Sequence, residues 1–235
     1  MLKGAVVLDI LAFDADDTLW DHEQYYRLTE DRFTALLADY AEPRHLTDRL
    51  LEAERRNILH YGFGVKGFTL SMIETAIEIT NARVPAQIIG QILEAGREMH
   101  AHPIDLRPGA REALEALRPT HSHLRLITKG DLFDQERKLA QSGLGPFFDA
   151  VDVVADKTPQ TYRRCFGEVA ERALMVGNSL KSDVLPALDV GAWGVHVPHE
   201  LEWVLDRAEA PTDAPRFRTI PDLHALPALV EQIEA

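Results

Sequence analysis

The chain has 235 residues, 46% hydrophobic and 27% charged. These are the proportions of a globular protein, and a chain of this size buries about 70% of its unfolded surface on folding. The formal net charge is −13, from 25 Lys+Arg against 38 Asp+Glu. That excludes nucleic acid and anionic membrane surfaces as first expectations for a partner, though a local donor cluster or a metal can still favour a small phosphorylated ligand.

The single cysteine, Cys165, cannot form an internal disulfide and fits a reducing compartment. Lys3 and the apolar run 4–8 faintly suggest a signal peptide, but Asp9 interrupts the run and Asp14, Asp16 and Asp17 follow. No run of about 18 apolar residues exists that could span a bilayer. A cytoplasmic protein is expected.

Taken along the chain, the first apolar β-forming run is 8–13. Residues 21–37 then read as a helix, opened by Asp21 and Gln24 as a weak capping box. Pro43 suits the start of a second helix, running to about His60. Met72, Ile73, Ala76, Ile77 and Ile79 mark a third, and Pro85 opens a fourth carrying Ile88, Ile89, Ile92, Leu93 and Met99. Strand-like runs return at 124–127, 150–154, 173–176 and 194–197, separated by helical patterns, which predicts a mostly parallel sheet with helical crossovers. The tail is expected to hold a helix over 201–208, a Pro-rich loop around Pro211 and Pro215, and a last helix over 223–233. The fold class is therefore α/β. A Rossmann-like core of residues 1–19 and 105–235 is interrupted by an all-helical domain over 20–104.

Polar residues gather where the strands end, which is where open α/β sheets bind ligands. Phe13-Asp14-Ala15-Asp16-Asp17-Thr18 follows the first strand, with three carboxylates that repel unless a cation or a phosphate site accounts for them. Thr128-Lys129-Gly130-Asp131 follows the second and joins a hydroxyl and backbone amides to a helix start, a combination that favours an anion. Thr158 and Pro159 form an N-cap and first helical residue, which holds Lys157 at a helix N-terminus. A cation there gains nothing from the helix dipole unless an anion lies between. Gly177-Asn178-Ser179 leaves another strand, with Asp183 about one turn further on.

In that order, Asp14-x-Asp16-x-Thr18, Thr128, Lys157 and Gly177-Asn178…Asp183 resemble the four motifs of the haloacid dehalogenase (HAD) superfamily. The insert after the first motif resembles that family's helical cap, as found in its small-molecule phosphatases. The resemblance implies an HAD-like fold with the cap closing over the active site. It also implies a phosphatase acting on a small phosphate ester through an aspartyl-phosphate. Asp14 would be the nucleophile and Asp16 the acid and base. Thr128 and Lys157 would complete the catalytic set, with Ala15, Thr128, Lys129, Gly130 and Lys157 as the substrate-binding positions. Asp14, Asp16, Asn178 and Asp183 would hold Mg2+. The chain would act as a monomer or homodimer.

Asn178 departs from the family pattern, which has Asp there. A neutral amide oxygen implies weaker magnesium binding. Asp16 favours phosphate esters over carbon–halogen bonds, since a halide leaves without a proton. The alternatives are a phosphotransferase or mutase, a catalytically silent phosphate-binding member and, outside the family, a phospho-acceptor receiver, which would lack the large insert.

Other features receive structural readings. Gly62-x-Gly64-x-x-Gly67 follows a helix rather than a strand and is expected to be a flexible link, with Tyr61, Phe63 and Lys66 as candidate specificity residues. The pairs His100/His102 and His121/His123 are expected to be solvated rather than metal-ligating. Asp17 is expected to satisfy amides of its turn, and Ser179 to cap the helix that follows.

Overall fold

A computed structural model describes residues 7–121 and 123–235. The signal-peptide question at 1–6 lies outside them. The chain forms two compact units. Among the described residues, one comprises 7–23, 104–129 and 135–235, the other 24–103 with the short segment 130–134.

The first unit is built on a six-stranded, all-parallel sheet. Its strands are β1 (Ile10–Phe13), β2 (Leu124–Lys129), β3 (Ala150–Val154), β4 (Ala173–Gly177), β5 (Trp193–His196) and β6 (Phe217–Thr219), in the order 3-2-1-4-5-6. β1 pairs with β2 and β4 in register, Leu11 opposite both Leu124 and Leu174. Alternate residues of each strand enter opposite cores, as a sheet covered on both faces requires. Leu11, Phe13, Leu126 and Val176 pack with Ala113 and Leu114 of α5 (Ala110–Leu117) and with Leu226 and Val230 of the C-terminal helix (Leu226–Glu234). Ala12, Ile127 and Met175 face Tyr162 and Phe166 of a helix over Pro159–Phe166. Strand order reverses between β1 and β4, so the carboxyl ends of these neighbours flank the crevice where such sheets place ligands.

The second unit is helical: α1 (Glu23–Leu36), α2 (Pro43–Tyr61), α3 (Val65–Ile79) and α4 (Ala86–Ala101). Phe33, Leu37, Leu46, Leu50, Phe68, Met72 and Ile92 form its own core. The expected flexible link at 62–67 is a three-residue turn. Gly62 and Gly64 adopt φ of 72° and 111°, and α3 begins at Val65, so Gly67 is already helical. Segment 130–134 is tied to this unit by Lys66 Nζ to Asp131 Oδ2 at 2.9 Å and by His100 Nδ1 to Asp134 Oδ1 at 3.0 Å.

Four expectations change. The tail helix over 201–208 is a single 3₁₀ turn, Val204–Asp206, because Asp206 is drawn into side-chain contacts described below. The Pro-rich tail also contributes β6, a short edge strand. The start of α1 is served by Asp17, whose carboxylate accepts from the His22 and Glu23 amides at 2.8 and 3.0 Å, while Asp21 pairs with Arg107 at 2.9 Å. His121, expected to be solvated, is buried beside Glu234. No helix among the described residues is long and apolar enough to cross a membrane.

Candidate active site

The turn after β1 is tight. The amides of Thr18 and Leu19 return to the Ala15 carbonyl at 3.3 and 2.8 Å, and Asp17 takes a left-handed φ of 61°. The Asp14 amide continues the ladder to the Val176 carbonyl at 2.9 Å, which brings the Asp14 side chain beside the end of β4. The Thr18 hydroxyl accepts from the Asn178 amide at 3.0 Å and donates to Asp14 Oδ2 at 3.0 Å, with Asn178 Oδ1 3.2 Å away. One fully buried hydroxyl therefore fastens the first motif to the fourth.

Lys157 reaches in from the turn before the helix over 159–166. Its cap forms as expected, the Thr161 amide donating to Thr158 Oγ1 at 3.2 Å. Its ammonium bonds Asp14 Oδ1 and, at 2.7 Å, Asp183 Oδ1. The anion that this lysine requires is thus a pair of the protein's own carboxylates. Burial pushes the Asp14 carboxyl up to about 7; Lys157 opposes the rise and Asp183 adds to it. Burial alone would lower the Lys157 ammonium, but Asp14 and Asp183 outweigh it and hold it well above its usual value.

Asp183 lies in a π-helical turn, Leu180–Val184, where Oδ2 accepts from the Ser179 amide at 2.9 Å. Ser179 caps this turn by accepting from the Ser182 amide at 3.0 Å. With both carboxylates ionised, Asp14, Asp183 and Lys157, all nearly inaccessible, leave one buried negative charge in excess, and the raised Asp14 carboxyl reflects it. A buried charge is costly unless it is compensated.

Asp16 has different partners. Lys138 donates to both its oxygens at 2.7 and 2.8 Å, Gln135 Nε2 at 2.9 Å and Trp20 Nε1 at 2.7 Å, and His22 lies 3.8 Å away. Burial alone would raise this carboxyl, but His22, Lys138 and Gln135 together hold it well below the usual range. Lys138 and Gln135 project from α6 (Leu132–Ser142), and Lys138 is 1% exposed.

Asp14, Thr18, Lys157, Asn178 and Asp183 therefore share one cluster. Ala15 lies buried in the turn, and Thr128 is buried at the end of β2. Lys129 is elsewhere engaged, its ammonium bonding Ser182 Oγ at 2.8 Å and Asp206 at 3.1 and 3.2 Å. Gly130 falls in the segment that clusters with the helical unit, at φ 136°. The sequence reading gave no role to Thr18, Lys138 or Gln135. Thr18 stands at a motif position, but Lys138 looks like any charged helix residue, its partner lying 122 positions away.

Asp17, Asp21 and His199 also approach one another. Their oxygens already serve the α1 amides and Arg107, which accounts for the grouping as an ion-pair network.

The description "haloacid dehalogenase-like hydrolase" matches residues 8–191. The chain is similar to a haloacid dehalogenase-like family hydrolase from Xanthomonas campestris, with 44% identity over 99% of this chain and 94% of that one, at TM-score 0.87. It shares the fold of the HAD hydrolase YfnB from Bacillus subtilis bound to magnesium (18% identity, 96% and 99% covered, TM-score 0.67). It also shares that of an L-2-haloacid dehalogenase from Xanthobacter autotrophicus with chloropropionic acid covalently bound (19%, 96% and 99%, TM-score 0.64). No curated protein sequence matches it.

Proposed function

Since this chain belongs to the haloacid dehalogenase-like hydrolases, we propose that it is a phosphatase, hydrolysing a small phosphate monoester through an aspartyl-phosphate on Asp14. The observation that carries this reading is the second carboxylate, Asp16, two residues beyond the buried Asp14. Cleaving an ester P–O bond releases an oxygen that needs a proton, and hydrolysing an acyl phosphate requires one to be taken from water. Halide departure needs no proton donor.

Asp14 Oδ attacks phosphorus, the ester oxygen departs as an alcohol, and a covalent acyl phosphate remains. Water then attacks the phosphorus, the bond to Asp14 breaks and inorganic phosphate leaves. Lys157 neutralises charge on the nucleophile and on the transferring group, and Thr128 donates to a phosphoryl oxygen. Ionised Asp16, as Lys138 holds it, suits the proton-accepting half of the cycle. For the donating half, the Lys138 contact must loosen so that Asp16 takes up a proton from solvent, which it then passes to the ester oxygen; the carboxylate so formed accepts the proton of the attacking water.

The donor set fits magnesium. Hard oxygens would hold it: the Asp14 and Asp183 carboxylates, which together carry one negative charge more than Lys157 when both are ionised, with the Asp16 main-chain carbonyl and the Asn178 amide. Bound there, the ion would supply charge neutralisation for the phosphoryl group. Asn178 contributes one negative charge fewer than an aspartate would.

The test is a screen for inorganic phosphate released from small phosphate esters, with and without magnesium, run beside halide release from 2-chloropropionate. Asp14→Asn serves as the control. Magnesium-dependent phosphate release that disappears in Asp14→Asn is expected. Halide release alone, or phosphate release undiminished in the control, overturns the reading. Transfer of phosphate to an added alcohol in place of water would favour a phosphotransferase.

A further inference from the structure

Lys129 directly follows Thr128 at the carboxyl end of β2, the sheet edge outside which open α/β sheets bind ligands. The chain supplies an anion for its ammonium. Lys129 Nζ lies 3.1 and 3.2 Å from the two Asp206 oxygens and 2.8 Å from Ser182 Oγ, and 5.9 Å from the centre of the Trp203 ring. Ser182 Oγ in turn donates to Asp206 Oδ1 at 3.1 Å. Lys129 follows Thr128 and Ser182 precedes Asp183, so this second ion pair is anchored one residue along the chain from two residues of the candidate site.

Asp206 is held in place by several contacts. It ends the 3₁₀ turn 204–206, its amide donating to the Trp203 carbonyl at 2.9 Å, and Lys181 Nζ secures the Leu205 carbonyl at 2.6 Å. The paired side chains are only 14% and 19% exposed, so water screens them weakly. Removing one member of such a pair leaves the other charge uncompensated and seeking a partner.

We propose that Asp206 is a specificity-determining residue: by occupying Lys129, it withholds the cation that a second anionic group on the substrate would need. The substrate class is then phosphate monoesters whose leaving group carries no carboxylate or further phosphate. This rests on the phosphatase reading and narrows it. An ester bearing a second anion must displace Asp206 or meet its charge, and like charges brought together at a site select against the wrong partner.

The experiment compares two probes of nearly equal shape, propyl phosphate and 2-carboxyethyl phosphate. Their binding is measured by calorimetry in magnesium, with Asp14→Asn as the common background to prevent turnover. Adding Asp206→Asn is expected to tighten 2-carboxyethyl phosphate by about fivefold or more and to change propyl phosphate less than about twofold. Lys129→Met on top of Asp206→Asn is expected to abolish the gain. Asp206→Ser provides the same comparison should the first substitution fail to fold. Equal shifts for both probes, no shift, a gain that survives Lys129→Met, or no binding by any variant overturns the proposal. Binding is read without turnover, so failure of the phosphate-release screen and failure of this comparison are separate results.

Discussion

Gly177 and Asp183 compete for the same space: a Cβ on residue 177 would fall 2.2 Å from Asp183 Oδ2 and 2.3 Å from its Cγ. The end of β4 must therefore be glycine if Asp183 is to reach both Lys157 and the Ser179 amide. Gly177→Ala is expected to displace the carboxylate. The expected cost is about 1–3 kcal/mol of stability from overpacking and at least about a hundredfold in turnover, or about 2.7 kcal/mol of barrier. Urea denaturation and steady-state kinetics of the variant check both.

Lys157→Met tests the shared ammonium. Without it, Asp14 and Asp183 lie buried with no cation between them, and breaking a buried pair in this way costs about 3–5 kcal/mol. Added magnesium is expected to restore part of that loss by binding the folded state only. Melting curves with and without magnesium would show it. A variant as stable as the wild type in metal-free buffer would contradict the geometry.

The raised Asp14 carboxyl makes stability depend on pH in a definite direction. Its value is about 7 folded against an ordinary 3.8. Between these values the folded state keeps a proton that the unfolded chain has lost, so stability falls as pH rises. The contribution is fully present below about 4 and gone above about 7. In metal-free protein, Asp14→Asn is expected to flatten that slope. Asp17, raised to about 6 mainly by burial, contributes in the same direction and leaves a residual slope. Denaturant titrations across the range decide it.

Much of this site is legible in the sequence. β1 to β5 are visible as short apolar runs of β-forming residues separated by helical patterns. Thr158-Pro159 identified Lys157 as a lysine needing an anion, and the anion proved to be Asp14 with Asp183. β6 was hidden because Phe217-Arg218-Thr219 is short, carries a charge and pairs along one edge only. Lys138 was hidden for a different reason: helical periodicity says which face is buried, but not that a buried ammonium has found Asp16 in a distant turn. The 201–208 helix failed because side-chain contacts at Asp206 outweigh local propensity.

Asn178→Asp addresses the neutral position in the metal donor set. A further carboxylate beside Asp14 and Asp183 adds repulsion when no cation is present and attraction when one is. The variant is expected to be less stable than wild type in metal-free buffer, yet half-saturated by magnesium at about a tenfold lower concentration. Magnesium titrations of melting temperature and of activity would measure this. Equal half-saturation would count against a charge effect at this position.

The central place of β1 in the sheet has a consequence for synthesis. β1 is made first, yet its two neighbours begin only at residues 124 and 173. Until both have left the ribosome, Leu11 and Phe13 have no sheet to join, whereas the helices between can consolidate on their own core. Long-range parallel pairing of this kind is slow, and an apolar strand waiting for its partners is exposed to aggregation. Newly made chains should therefore depend on chaperones most strongly before the last third of the polypeptide appears.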